Sequence, residues 1–364
     1  MRVLAISHSA VAGPYRQKWR LLSRRKGWNL TLAVPGRWPE GGAMLAAGSA
    51  GFEGIQHRVL GVRLPGRIGF FSYRGLDALI AEIKPELVYC EEEPYSLAAF
   101  QAARAARSHG AAFVFFSWEN IKRSFKPPLN WVRGQVQAMS AGAVLGNSEG
   151  MALYRDWGFK GQQALVPQYG VDPRLFKPAR RPPRKFTAGY VGRLVREKGA
   201  ALFVRACAEA GVRGLIVGRG PDEDALRALA AATGAKVEFK AFVPFEERQR
   251  IYEGMDLLVL PSLTTRRWKE QFGRVIIEAG ACAVPCLGSD SGAIPEVIGE
   301  GGLTVPEGDL GALAASLKML ASKPRLLRNL GLAARRRALR RYTEAKLAGD
   351  LGKFLESVVG HKRR

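Results

Sequence analysis

The sequence predicts an α/β protein with two doubly wound parallel sheets. Three observations predict it. Short apolar runs alternate with amphipathic stretches through the first half of the chain. The alternation breaks at 166–185, VPQYGVDPRLFKPARRPPRK, where five prolines sit among clustered arginines. It then restarts at Phe186. Strands alternating with helices give a parallel sheet covered on both faces, with ligands at the carboxyl ends of its strands. At a soft prior of about 150 residues per domain, 364 residues hold two.

In order, residues 2–7 read as a buried strand. A loop with Gly13-Pro14 leads into a basic amphipathic helix, 15–26. Residues 29–34 are a strand, 35–54 a Gly/Pro-rich loop and 55–64 another strand. A helix at 75–83 stops before Pro85, because the residue preceding proline is pushed out of helical geometry. Residues 86–90, 111–116 and 143–146 are strands, with an Ala-rich helix at 95–107. In the second half, 186–191, 214–217, 237–242, 257–260 and 284–287 are strands. Helices lie at 200–210, 224–232, 245–252 and 274–281, and the chain is mostly helical and basic from Asp309.

Several classes are excluded. No apolar run approaches the ~20 residues that span a bilayer. The apolar segment 3–6 is too short for a signal peptide, so a first strand and a cytoplasmic protein are expected. Cys90, Cys207, Cys282 and Cys286 form no CxxC pair and His is scarce, which argues against zinc and for structural thiols. The net charge is +24, of which 1–76 and 323–364 contribute +10 each and 177–322 the remaining +4. Such a charge favours an anionic partner. No nucleic-acid module is visible, so a basic nucleic-acid-binding protein is the minor alternative and no nucleic-acid partner is expected.

Three stretches can carry chemistry. In GYVGRLVREKG, 189–199, a strand ends at Gly192 and is followed by Arg193 and Lys198. Glycine permits close backbone approach, and two cations past a strand end suit a diphosphate. In GLIVGRGPDEDAL, 214–226, there is no GxGxxG, and Asp222-Glu223-Asp224 reads as the acidic first turn of a helix rather than a metal-binding DxD. The third, KEQFGRVIIEAGACAVPCLGSDSGAIPE at 269–296, is the most specific. Glu270 and Gly273 fall in a loop feeding a helix that carries Glu278 within an apolar run. A helix entered through glycine offers N–H donors to an anion, and carboxylates accept from sugar hydroxyls. A buried Glu278 requires partners.

On VPQYGVDPRLFKP, GYVGRLVREKG, LIVGRGP, MDLLVLPS, EQFGRVIIEAG and SGAIPEVIGEGGLTVPEGD, in that order, the chain resembles the family 4 (group 1) retaining glycosyltransferases. The resemblance implies the GT-B architecture, with two Rossmann-like domains facing a central cleft and a C-terminal helix returning to the first. It implies an acceptor-binding domain at 1–170, a linker at 171–185, a nucleotide-sugar domain at 186–340 and the returning helix at 341–364. It implies a retaining, metal-independent enzyme with no cofactor beyond its nucleotide-sugar donor, the alternative within the same architecture being another sugar-nucleotide enzyme such as an epimerase or a phosphorylase. Glu270 would hold the donor sugar and Glu278 the ribose. Arg193 and Lys198 would neutralise the diphosphate. Gly192, Phe272, Gly273 and Arg274 would line the donor, and Phe242 and Val243 would border the base. Glu119 and Asn120, at a strand's carboxyl end, and Gly13 are candidates for sugar or acceptor contacts. Glu91-Glu92-Glu93 could bind acceptor hydroxyls, or begin a helix, the reading slightly preferred. The segment LTTRRWK, 263–269, is longer than in relatives and could extend the pocket wall. Arg16, Lys18, Arg20, Arg24, Arg25 and Lys26, interleaved with Trp19, Leu21 and Leu22, and Arg335, Arg336, Arg337, Arg340 and Arg341 suggest a basic surface for an anionic membrane. The expected acceptor is a lipid, a lipid-linked glycan or a polysaccharide precursor at the inner membrane face.

Overall fold

The computed structural model describes residues 1–40, 43–48, 51–179, 185–241, 243 and 247–362. The chain forms two compact units, Met1–Gln168 with Glu344–Arg364, and Tyr169–Thr343.

The first unit is built on seven parallel strands: β1 (Arg2–Ile6), β2 (Asn29–Pro35), β3 (Gln56–Leu60), β4 (Leu87–Cys90), β5 (Ala112–Ser117), β6 (Gly142–Leu145) and β7 (Gln162–Leu165). Their order is 7-6-5-4-1-2-3. β4, β5 and β6 are buried at every position. That is why they read as unbroken apolar runs, as helices cover both faces of a parallel sheet. The direction of winding reverses between β1 and β4, whose carboxyl ends run into Ser7-His8 and Glu91-Glu92-Glu93.

The second unit repeats the plan with β8 (Thr187–Val191), β9 (Arg213–Val217), β10 (Val237–Lys240), β11 (Leu257–Leu260), β12 (Cys286–Ser289) and β13 (Gly302–Val305). The order is 10-9-8-11-12-13, all parallel, with the reversal between β8 and β11. A crevice outside the strand ends at such a reversal is where doubly wound sheets bind ligands.

Several elements differ from the sequence reading. The basic first helix is only Gln17–Ser23, preceded by a 3-10 turn at Gly13–Tyr15. The stretch read as a loop at 35–54 contains an antiparallel hairpin, Arg37–Glu40 with Ala43–Ala46, anchored by the buried Trp38. The expected strand 284–287 begins later, at Cys286, after Ala283 takes a left-handed turn (φ 58°) and Pro285 removes a donor. Helices at Leu129–Met139, Ser148–Asp156 and Ile294–Ile298 were not anticipated.

Three of the cations expected on a basic surface, Arg16, Lys18 and Arg337, are buried, whereas Arg24, Lys26, Arg336, Arg340 and Arg341 are exposed. Arg16 and Lys18 are buried, with Trp19 and Leu22 in the core. The Arg16 guanidinium donates to the carbonyls of Ala10 and Val11 and lies 3.7 Å over the Phe52 ring. In the second unit, Arg337 is buried and donates to the carbonyls of Val297 and Glu296 and to Glu300. These cations hold chain segments together and are unavailable to a membrane. The reason is the length of the Arg and Lys side chains, which lets a charge reach internal carbonyls while its stem packs.

The helix Glu344–Lys362 belongs to the first unit and packs on Gln17–Ser23. Leu347, Leu351, Leu355 and Val358 enter the core at successive helical turns. Glu356 accepts a forked pair of bonds from Arg25 (2.7 and 2.6 Å) and one from Trp28 Nε1 (2.9 Å). The apolar stripe dominates this attachment, because exposed ion pairs contribute little. Leu355→Ala should cost about 2–5 kcal/mol in urea unfolding. A cost below 1 kcal/mol, on that same scale of about 2–5 for a filled core site, would mean this helix is only loosely docked.

Candidate active site

The site of the second unit is made by loops at the ends of β8, β9, β11 and β12. These loops meet backbone to backbone. Gly192 N–H donates to Val217 O, and Leu194 N–H to Arg219 O. A Cβ on Gly218 would lie 1.9 Å from Gly192 O, and one on Gly220 2.2 Å from Leu194 O. Gly199, at φ 71°, sits against Pro261, where a Cβ would come 1.8 Å from the carbonyl oxygen. The segment therefore needs glycine at these positions, for approach as much as for conformation.

This framework places Lys198 and Glu270 together. Lys198 ends the 3-10 turn Arg196–Lys198 after β8. Its Nζ donates to Glu270 Oε2 at 2.8 Å and lies 4.5 Å over the Trp268 ring. Glu270, 6% exposed, also accepts from Ser262 Oγ at 3.1 Å, just past β11. Its main chain is fixed by Ala293 N–H (3.0 Å). Gly292, at φ 56°, would put a Cβ 2.1 Å from Glu270 O. A carboxylate and an ammonium thus stand at the strand ends where the winding reverses. Arg193 is exposed on the same loop, and its carbonyl accepts from Tyr190 OH at 2.9 Å.

Phe272 is buried with its ring edge-on to Tyr342 at 5.6 Å. Gly273, at φ 74°, opens the helix Arg274–Ala281 with no side-chain cap, and its carbonyl accepts from Ile276 N–H at 2.8 Å. Glu278, 2% exposed on this helix, has the partners its burial demands. Tyr252 OH donates to it at 2.7 Å, Arg274 pairs with it at 2.9 Å and Arg248 at 3.5 Å. The Glu278 carboxylate and burial together push the Tyr252 hydroxyl well above its usual range, burial being the larger cause. The two glutamates therefore occupy separate polar settings along one stretch.

Gly192 is half-buried at the end of β8, and Val243 is half-buried a few residues past β10. Phe242 lies outside the described residues. Asp222 stands at the N-terminus of the helix Glu223–Thr233, and Glu223 is bonded to Arg227 at 2.8 Å. Sequence reasoning missed Ser262, Tyr252 and Arg248 as partners of this site, and nothing local marks them, whereas Trp268 lies in the 263–269 segment expected to extend the pocket wall.

Gly13, Glu119 and Asn120 are in the first unit. Gly13 is exposed. Glu119 and Asn120 are buried past the end of β5, where Glu119 pairs with Arg123 at 2.8 Å and Asn120 bonds Glu149 at 3.1 Å. Glu91, Glu92 and Glu93 do not begin a helix as preferred from sequence, since the next one starts at Leu97 with Ser96 as its cap. They turn into a polar network at the winding reversal. Glu91 pairs with Lys18 and accepts from Ser7 Oγ (3.0 Å) and Gln168 Nε2 (3.2 Å). Glu92 joins His8 and Tyr73. Glu93 accepts from Ser117 Oγ (2.7 Å) and Trp118 N–H (2.8 Å). Burial pushes the Glu93 carboxyl up to about 7 despite these donors.

Residues 171–337 match the family described as glycosyl transferases group 1. This segment, nearly the whole second unit, belongs to that family, and the two sheets form a GT-B fold. Among curated relatives, the D-inositol 3-phosphate glycosyltransferase of Mycobacterium sp. (strain KMS) is 31% identical over 174 residues, covering 42% of this chain and 38% of the relative. The phosphatidyl-myo-inositol mannosyltransferase of Mycobacterium leprae is 34% identical over 147 residues, 40% of this chain and 38% of the relative. The chain thus spans about two fifths of the length of these curated relatives. The crystal structure of Anabaena Alr3699/HepE in complex with UDP superposes with a TM-score of 0.77 at 17% identity, over 98% of this chain and all of that one.

Two predictions follow from this geometry. Gly199→Ala combines a left-handed φ with a main-chain clash, so it should cost more than about 3 kcal/mol in urea unfolding. A wild-type midpoint would show that the loop can move off Pro261. For Glu93, the folded carboxyl holds its proton above the unfolded range near 4.5. The folded state therefore binds more protons than the unfolded between about 4.5 and 7, and stability falls as pH rises through that window. Glu93→Gln should flatten this fall in thermal unfolding followed against pH. An unchanged slope would assign it to other groups.

Proposed function

We propose that the chain is a retaining glycosyltransferase that moves a sugar from a nucleotide-diphosphate sugar to a hydroxyl acceptor. The observation that carries this reading is the Lys198–Glu270 pair with Ser262, held at the strand ends beside a glycine-opened helix. Glu270 accepts bonds from hydroxyls of the donor sugar. Lys198 and Arg193 face the diphosphate. Gly192 lets the phosphates approach the main chain, and the N–H groups after Phe272 and Gly273, in the turn that Arg274 begins, share its charge. Glu278, already oriented by Tyr252, takes the ribose hydroxyls. Val243 and Phe242 border the base.

The chemistry requires no protein nucleophile. The sugar–phosphate bond breaks as the acceptor oxygen approaches on the same face. The departing diphosphate oxygen takes the acceptor's proton. The protein's contribution is electrostatic: cations and helix N–H groups stabilise charge that develops on the leaving group. No step requires a metal, which defines this as a metal-independent proposal.

UDP and GDP are the favoured donor nucleotides. The solved neighbour complexed with UDP supports the first, and a relative named as a GDP-mannose-dependent mannosyltransferase supports the second. The acceptor is a lipid, a lipid-linked glycan or a polysaccharide precursor presented at the inner membrane face. Relatives named for phosphatidylinositol and for amylovoran biosynthesis support that class. Glu119, Asn120 and the loop at Gly13 are the proposed acceptor contacts.

The test begins with a thermal-shift panel of UDP, GDP and ADP and their sugars, to find the donor. With that donor, Glu270→Gln and Lys198→Ala should each lower transfer by roughly 100-fold or more while leaving the thermal midpoint near wild type. Full activity in either variant would remove the pocket assignment.

A further inference from the structure

We propose that a surface of the first unit marked by Met44, Leu64, Phe70 and Trp131 docks on an anionic lipid bilayer. Met44, Leu64, Phe70 and Trp131 are 57, 51, 45 and 57% exposed, among the most exposed large apolar side chains of the described residues. They come from three separate segments, yet packing joins them. Met44 is the cross-strand partner of Pro39 in the hairpin. Pro39 lies so close to Gly66 that a Cβ there would meet its ring at 2.5 Å. Gly66 stands in the turn between Leu64 and Phe70, and Gly69 abuts Leu129 of the helix bearing Trp131 (3.2 Å for a Cβ). The result is a connected apolar strip, which a soluble surface rarely leaves uncovered.

In the two segments that bear Leu64, Phe70 and Trp131 the charge is of one sign. No Asp or Glu occurs between Glu53 and Asp77, where Arg58, Arg63, Arg67 and Arg74 lie, nor between Glu119 and Glu149, where Lys122, Arg123, Lys126 and Arg133 lie. Arg63, Arg67, Lys122 and Lys126 are exposed, and no ion pair is recorded for them among the described residues. Cations fit lipid phosphates while the apolar and aromatic tips fit the boundary beneath them. A nucleic acid would satisfy the cations and leave Met44 and Leu64 in water. The bilayer satisfies both. Among the described residues no helix is long and apolar enough to cross a membrane, so attachment here is by surface contact. The docking deepens the lipid-acceptor reading above and rests on it for its purpose, though not for its measurement.

The experiment is sedimentation of the full chain, with no donor present, on phosphatidylcholine vesicles with and without phosphatidylglycerol. Wild type should bind the anionic vesicles and not the neutral ones. Arg63→Glu/Arg67→Glu and Phe70→Ser/Trp131→Ser should each weaken that binding about tenfold or more. Arg24→Glu/Lys26→Glu, at exposed positions just past the first helix, should bind as wild type. Equal binding to both vesicles, no binding, or loss only in Arg24→Glu/Lys26→Glu would overturn the proposal. Nucleotide protection measured without vesicles should be unchanged in all these variants. Its absence in wild type would count against the donor pocket and leave the vesicle result standing.

Discussion

The second unit depends on contact between main chains that leaves no room for side chains. Gly199 on Pro261, Gly218 on Gly192, Gly220 on Leu194 and Gly292 on Glu270 bring four loops within van der Waals contact of each other's carbonyls. Gly302 does the same against Cys286 between the last two strands. Loops held in this way cannot drift independently. That rigidity is what allows a lysine from the end of β8 to meet a glutamate from the end of β11 at 2.8 Å. Preorganised groups at strand ends cost no rearrangement when charge develops, which is the physical use of such a framework.

Burial then decides what each charge can do. Glu270 and Glu278 are both buried, but in different company. Glu270 shares a lysine and a serine hydroxyl and stands beside an exposed arginine. Glu278 is enclosed by a tyrosine and two arginines. The first unit has a parallel concentration of buried acids at its own reversal, where Lys18, His8 and Gln168 supply the partners. Buried carboxylates must be partnered, so both reversals became polar networks rather than apolar gaps.

Much of the candidate site could be read in the sequence. The spacing of Glu270, Gly273 and Glu278 and the cluster of Gly192, Arg193 and Lys198 are local features of the chain. The apolar period of β4, β5 and β6 is equally local, because a strand covered on both faces is apolar throughout. Short or half-exposed elements were less legible. The 37–46 hairpin lies in a Gly/Pro-rich stretch, and the helix Leu129–Met139 buries only Val132 and Val136. A weak stripe gives a weak signal. The first basic helix misled for another reason: periodicity shows which side is apolar, and cannot show that Arg16 and Lys18 find acceptors inside the protein.

By itself the sequence determined two doubly wound sheets, the break between them, and the residue types at the ends of β8 and β11. These follow from period, proline and glycine, which act over a few residues. Tertiary structure alone decided which side chains pair. Tyr252 reaching Glu278, Ser262 reaching Glu270, Lys18 reaching Glu91 and Arg25 reaching Glu356 join residues between 8 and 331 positions apart. It also decided which cations are free for a partner, because a charge is spent or available according to the carbonyls and carboxylates that folding brings to it.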